Sequence, residues 1–239
     1  MLIPRRPSFL LAGLLSLAAA LAPGAPAVAQ APNPPTVQMP EPGVPEVITL
    51  KGKFLRVAYN DEDFVVLGFM SANRAIGGEW MLLEVGMTQL GKTPAYSLTR
   101  DAISLETPDG KTLPMAAVND QRAAGAEALQ WRATRENPSI LYFPTFASEL
   151  CRIAFFANVD SPAMVFDQVE LTIRRGCIGR IYFHLPGGIA LGQHWLNVKF
   201  AASVVRVPFT ILTPAEEQYL QENLKEIKKQ VAEAFPAKS

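Results

Sequence analysis

The stretch HLPGGIALGQH holds both histidines of this 239-residue chain, His184 and His194, on either side of a glycine-rich turn. Imidazole is the side chain best placed to move protons near neutrality and to bind transition metals, so chemistry is sought here first. If residues 180–185 and 194–200 form a hairpin, Ile181, Phe183 and Leu185 share one face of the first strand, and His194, Leu196, Val198 and Phe200 share one face of the second. Burying both rows together sets Phe183 against Leu196 and Ile181 against Val198. That register turns His184 outward with Tyr182 and Trp195 and leaves His194 at the end of the inner row. A one-residue slip that aligned the histidines would expose an apolar row, at about 1.5–3 kcal/mol for each large side chain. Two unrelated histidines are therefore expected, with no metal and no cofactor.

Two other groups of residues carry charge in a pattern. Arg174 and Arg175, with Arg180 close by, form the densest basic cluster. Guanidinium forks could meet a carboxylate or phosphate there, although guarding a strand end is the plainer use of such a cluster. The run Asn60-Asp61-Glu62-Asp63 offers the oxygen ligands that calcium takes. It lacks the alternation and the later bidentate glutamate of an EF-hand loop, so a solvated turn is expected. The chain contains no H-E-x-x-H, G-x-S-x-G, G-x-x-x-x-G-K-[ST] or C-x-x-C motif. No catalytic residue is assigned.

The elements that would position these groups follow from the rest of the chain. Residues 1–29 have a short basic start at Arg5 and Arg6, an apolar run over 8–21 and an Ala27-Val28-Ala29 end, the layout of a secretory signal peptide. The apolar run is too short for the ~20 residues of a bilayer span. Its removal takes away two of 22 basic residues and none of 22 acidic ones, leaving a net charge of −2. Such a balance gives no electrostatic reason to expect nucleic acid as a partner.

Residues 30–46 follow as a proline-rich linker, with prolines at 32, 34, 35, 40, 42 and 45 fixing φ and removing backbone donors. Residues 47–212 form one domain of short extended runs broken by turn residues. In GEWMLLEVGMTQL, Met81, Leu83, Val85 and Met87 alternate against Glu84 and Thr88, giving a period of two. AISLETPDGKTLPM is a hairpin turning at Pro108-Asp109-Gly110, where glycine supplies the positive φ. Residues 119–135 read as a helical insertion with Ala128, Leu129 and Trp131 as its apolar contacts. Extended runs resume at SILYFPTF, ELCRIAFFANV and MVFDQVELTIRR, and after the two histidine-bearing runs at SVVRVPFTIL. This strand count and spacing predict a mainly β chain, a β-sandwich.

Cys151 and Cys177 are the two cysteines, an even number in a chain bound for an oxidising compartment. A disulfide between them is expected, two separate buried thiols being the alternative. Residues 213–235 change period to an amphipathic helix. Thr213, Pro214 and Glu216 suit a capping box, and Leu220, Leu224, Ile227 and Val231 form one stripe. That stripe must bury against its own domain, a partner or a second copy.

The hairpin AISLETPDGKTLPM, followed late in the chain by GRIYFHLPGGIALGQHWLNVKF and VRVPFTIL, resembles secreted bacterial telokin-like, immunoglobulin-like domains. The resemblance covers about half the chain. It implies an immunoglobulin-like sandwich and supplies no catalytic residues.

The expected function is an exported, non-enzymatic binding or scaffolding module of the bacterial envelope, periplasmic or secreted. Its mature form would have no membrane span and would meet a protein partner, or its own copy, through the C-terminal helix. Its expected ligand-binding residues are Tyr182, His184, Trp195 and the three arginines. The alternative is a periplasmic hydrolase or metal-dependent enzyme working through His184 or His194.

Overall fold

The computed structural model describes residues 46–48, 54–91, 94–136, 140, 143–157, 164–220, 222, 223 and 225. The expected leader, and the expected linker up to residue 45, lie outside them. The first strands are β1 (Glu46–Ile48), β2 (Leu55–Tyr59), β3 (Asp63–Gly68), β4 (Trp80–Gln89), β5 (Tyr96–Thr99), β6 (Ile103–Glu106) and β7 (Thr112–Pro114). After them come β8 (Glu149–Ile153), β9 (Gln168–Leu171), β10 (Arg175–His184), β11 (Gly192–Lys199) and β12 (Val204–Ile211). Helices α1 (Met70–Asn73), α2 (Val118–Ala123) and α3 (Glu127–Glu136) interrupt them.

The strands make a six-stranded sheet in the order β1-β2-β3-β4-β10-β8, a four-stranded sheet β12-β11-β6-β7, and a two-stranded ribbon β5-β9. The two larger sheets share one core, in which Phe69 lies 5.3 Å from Phe209 of β12. The fold is a mainly β sandwich. The expected P-D-G hairpin joins β6 to β7: Thr107 N–H donates to Lys111 O (2.9 Å), Gly110 N–H donates to Thr107 O (2.9 Å), and Gly110 sits at φ +82°.

The structure corrects the expected histidine hairpin. β10 pairs with β4 and with β8, whereas β11 pairs with β12 and β6, so the two histidine-bearing strands belong to different sheets. Both apolar rows are buried as expected, but they meet in the common core instead of side by side. The segment between them turns at Gly188, φ +81°, where a Cβ would come within 2.7 Å of Gly77 O. Only glycine fits that turn.

The central strands β3, β4 and β10 of the six-stranded sheet are buried on both faces over most of their length, whereas Leu150 of the edge strand β8 stays exposed. Met81, Leu83, Val85 and Met87 point into the sandwich, and Leu82 with its cross-strand neighbour Tyr182 is equally buried on the other side. Three covers do this. Ile140 caps Leu55, Val57 and Val66. Phe143 fills a notch made by two glycines, for a Cβ at Gly86 would sit 2.9 Å from its ring and one at Gly176 2.8 Å. α3 buries Ala133 and Gln130, in step with Ala126 just before it.

Two further expectations are corrected here. Ala128 and Trp131 face solvent, with Trp131 47% exposed, because the buried positions are 126, 130 and 133. The described residues of SILYFPTF form no strand, since Ile140 and Phe143 serve as plugs over the sheet and Pro144 lacks a ladder donor.

Cys151 and Cys177 stand directly opposite one another in the parallel β8–β10 pair, Cα atoms 4.3 Å apart, and form a disulfide. After β12 the capping box forms: Glu216 N–H donates to Thr213 Oγ1, and Thr213 N–H donates back to Glu216 Oε2 at 2.8 Å. Leu220 is half-buried, while Leu224, Ile227 and Val231 lie outside the described residues. Among the described residues no helix is long and apolar enough to cross a membrane.

β8 is an edge strand joined to the sheet by one short parallel pairing, so the disulfide is its main tether. By loop-closure entropy the cross-link is worth about 3.5 kcal/mol. Cys151→Ala/Cys177→Ala should lower the urea-unfolding free energy by about that amount and leave the far-ultraviolet dichroism unchanged.

Candidate functional site

His184 ends β10 on the surface, opposite Trp80 of β4, and its ring stacks on the indole at 4.8 Å and 25°. His194 is fully buried in the other sheet. Its Nδ1 lies 3.1 Å from Gly192 O, and because a carbonyl only accepts, the proton sits on Nδ1. Phe209 stacks on the ring at 5.3 Å. Burial holds its pKa below the ordinary histidine value, against the opposing pull of the Gly192 hydrogen bond and of Asp109. A neutral, enclosed imidazole in one sheet and an exposed one in the other do not make a single site. Among the described residues no group of three or more His, Cys, Asp or Glu side chains is placed to hold a metal ion.

Tyr182 was expected on the outward face beside His184 and Trp195; it is fully buried instead. The side it points to is covered by Phe156, whose ring meets it edge-on at 4.9 Å, while in the plane of the sheet Ala116 N–H donates to Tyr182 O along the edge of β10 beyond its pairing with β8. Its hydroxyl has no hydrogen-bond partner among the described residues, and burial raises its pKa. Trp195 lies on the four-stranded sheet, away from His184.

The arginines do not form a shared basic patch. Arg180 Nε donates to Glu84 Oε1 at 3.2 Å, Arg175 Nη1 to Glu170 Oε2 at 2.6 Å, and Arg174 lies 3.9 Å from Glu149. Each faces a glutamate: Glu84 of β4, Glu170 of β9 in the ribbon, and Glu149 of β8.

The acidic turn is not solvated. Asn60 Oδ1 accepts from the N–H groups of Glu62 and Asp63 and closes the turn. The Glu62 carboxylate then crosses the sandwich, accepting from Ala202 N–H at 3.1 Å and Ser203 Oγ at 2.6 Å. Asp63 is fully buried, and Tyr96 Oη donates to its Oδ1 at 3.1 Å. Desolvation raises the Asp63 pKa to about 7; the Tyr96 hydrogen bond opposes this and the Glu62 charge adds to it. These groups act as a strut between sheets, and the expected turn became one because the residues after β11 fold against it.

The outer face of the four-stranded sheet is ordered in a different way. It carries Trp195, with Pro208 and Glu106 beside it in register, and Asn197, flanked by Arg206 and Ser104. Arg206 Nη2 donates to Glu106 Oε2 at 2.7 Å and its Nε to Asn197 Oδ1 at 3.1 Å, while the guanidinium lies 4.5 Å over the Trp195 ring. Thr210 Oγ1 donates to Gln193 Oε1 at 3.1 Å. All these side chains remain partly exposed on a rigid sheet. Sequence reasoning named Trp195 but missed Arg206, Asn197 and Glu106. Alternation along HWLNVKF and VVRVPFTIL would have put Trp195 and Asn197, and Arg206 with Pro208, on outward positions.

Trp80 also lines a shallow, open groove of about 380 Å³ between residues 75–80 and 124–129, in which Glu79 is the one charged lining residue among those described. Its sparse polar lining gives little to orient a ligand. Comparison with protein-family models, with curated proteins and with solved structures finds no match for this chain. The telokin-like resemblance therefore rests on its turn and strand residues alone.

Two outcomes check this geometry. Tyr182→Phe removes a buried, unpartnered hydroxyl and should be neutral or stabilising by up to about 1 kcal/mol in urea unfolding, whereas loss of a made hydrogen bond would cost a similar amount. For Asp63, folding raises the pKa, so the native state binds the extra proton and stability is full below the unfolded value near 4. It falls as pH rises to about 7, by on the order of 4 kcal/mol. Asp63→Asn should flatten this slope in unfolding measured from pH 4 to pH 8; an unchanged slope would contradict the assignment.

Proposed function

We propose that this chain is an exported, non-enzymatic binding module of the bacterial cell envelope, with the outer face of its four-stranded sheet as the contact surface. One observation carries the proposal: the central strands of the six-stranded sheet are covered on both faces, while among the described residues the four-stranded sheet leaves one face open and fixes its polar side chains around a partly exposed indole. Side chains held in place before a ligand arrives lose little entropy on binding, which favours recognition by that face. The disulfide supports an oxidising compartment outside the cytoplasm, as the leader-like start of the chain does.

The C-terminal helix is a second contact in this reading. Its first turn is capped and Leu220 is only half-buried, and the stripe that the sequence continues from there would meet a protein partner or a second copy. A binding module of this kind turns over no substrate.

Cross-linking in the native envelope, with the full chain and with a chain ending at Leu212, should capture a partner that the shorter chain loses. Turnover of ester, glycoside or phosphoester substrates by the purified protein, abolished in His184→Ala or His194→Ala, would replace this proposal with the hydrolase.

A further inference from the structure

We propose that the meeting point of the three sheets is a proton-operated latch: one proton held by the Glu62–Asp63 pair keeps the turn after β11 bound to the turn before β3, and its loss sends the Glu62 side chain out to solvent. The inference stands whatever the outer face of the four-stranded sheet binds.

The first argument is position. The turn between β2 and β3 belongs to the six-stranded sheet, residues 200–203 join β11 to β12 in the four-stranded sheet, and Tyr96 lies on β5 of the ribbon. Glu62 reaches the second sheet through Ala202 N–H and Ser203 Oγ, and Asp63 reaches the ribbon through Tyr96 Oη. Asn60 Nδ2 also donates to Ser203 Oγ at 2.8 Å, and the Tyr96 ring meets Phe200 edge-on at 6.3 Å.

The second argument is an unbalanced charge. Two successive carboxyl groups are enclosed here, Asp63 with no exposure and Glu62 with 7%. Among the described residues no lysine or arginine pairs with either. β4 presents Gln89 opposite Asp63, its amide given to Pro94 O; β5 presents Tyr96, which burial keeps neutral; the turn after β11 presents the uncharged Ala202 and Ser203. Asp61, the remaining charge of the turn, is exposed. Like charges packed together away from water disfavour double ionisation, and a proton removes one of them. Asp63 Oδ2 has no hydrogen-bond partner, and a neutral carboxyl is far cheaper to bury unpartnered than a charged one, so the proton resides on Asp63.

The third argument is which group yields. An ionised Asp63 keeps the Tyr96 hydrogen bond and stays enclosed at the start of β3. Glu62 lies nearer the surface, and its backbone is held separately, its carbonyl accepting from Leu90 N–H at 2.8 Å and Gly91 N–H at 3.2 Å. Its side chain can therefore turn outward while the turn persists, releasing Ala202 N–H and Ser203 Oγ. Burial sets the proton loss at about pH 7.

The test is residue-resolved amide hydrogen exchange of the full chain, expressed as protection factors. Between about pH 6 and about pH 8.5 Ala202 should lose at least about tenfold in protection, while Leu196 within β11 keeps its own. Asp63→Asn should hold Ala202 protected at both ends of the range, and Glu62→Ala should leave it unprotected at both. Tyr96→Phe removes a bond that favours the ionised carboxylate and should move the midpoint to higher pH. The carboxyl carbon shift of Asp63 in the unaltered chain should titrate at about pH 7, a reading that no folding failure of a variant can disturb. The inference is overturned by pH-independent protection of Ala202, by a loss that survives Asp63→Asn or that Leu196 shares, or by an Asp63 carbon shift that titrates below about pH 5. Calcium that restores Ala202 protection at the alkaline end also overturns it, because the missing positive charge would then be a metal ion.

Discussion

The pairing of β4 with β10, two strands buried on both faces over most of their length, is the constraint on which the other elements depend. A strand that faces water on one side can alternate apolar with polar residues, but here Leu82 and Tyr182 on the outer side are as fully buried as Met81 and Phe183 on the inner side. Each face needs its own cover. The four-stranded sheet supplies one. The other is assembled from α3, Phe156, Ile140 and Phe143, while the 115–117 segment lies along the edge of β10. Glycines at 86 and 176 let Phe143 reach the backbone, so small residues in the strands are as necessary to the cover as the large ones in the plug.

The same packing decides where charge can go. Glu62 and Asp63, in a turn that would be wet on an isolated hairpin, are enclosed where β3 meets the residues after β11. Glu62 keeps its partners, and Asp63 answers burial with a raised pKa, which makes the strut sensitive to pH. Arg100 is also drawn inward: it donates to Phe155 O and, at 2.7 Å, to Ala116 O, and it lies over the Phe156 ring at 4.6 Å. Polar groups near the six-stranded sheet are thus largely consumed in holding its covers. Among the described residues nothing packs over the outer face of the four-stranded sheet, and its polar side chains bond to one another.

Alternation, turn chemistry and capping are local, and the amino-acid sequence by itself determined them: the inward row of β4, the P-D-G hairpin with Gly110 at positive φ, the Thr213–Glu216 capping box and the mainly β class. It also made the Cys151–Cys177 pair an expectation, although their facing positions depend on the parallel β8–β10 register. Only the tertiary structure decided which strands became neighbours. The rows at Ile181–Phe183 and Leu196–Val198 fit either a hairpin or two opposed sheets, because both arrangements bury the same side chains; the chain takes the second, crossing between sheets through a turn at Gly188. Tyr182 illustrates the consequence. Period two gives its side of the strand, but whether that side meets water is set by Phe156 and the helical cover, which are remote in the chain. Trp195 could be placed on an outward position from its strand alone, whereas its alliance with Arg206, Asn197 and Glu106 required three strands in one register.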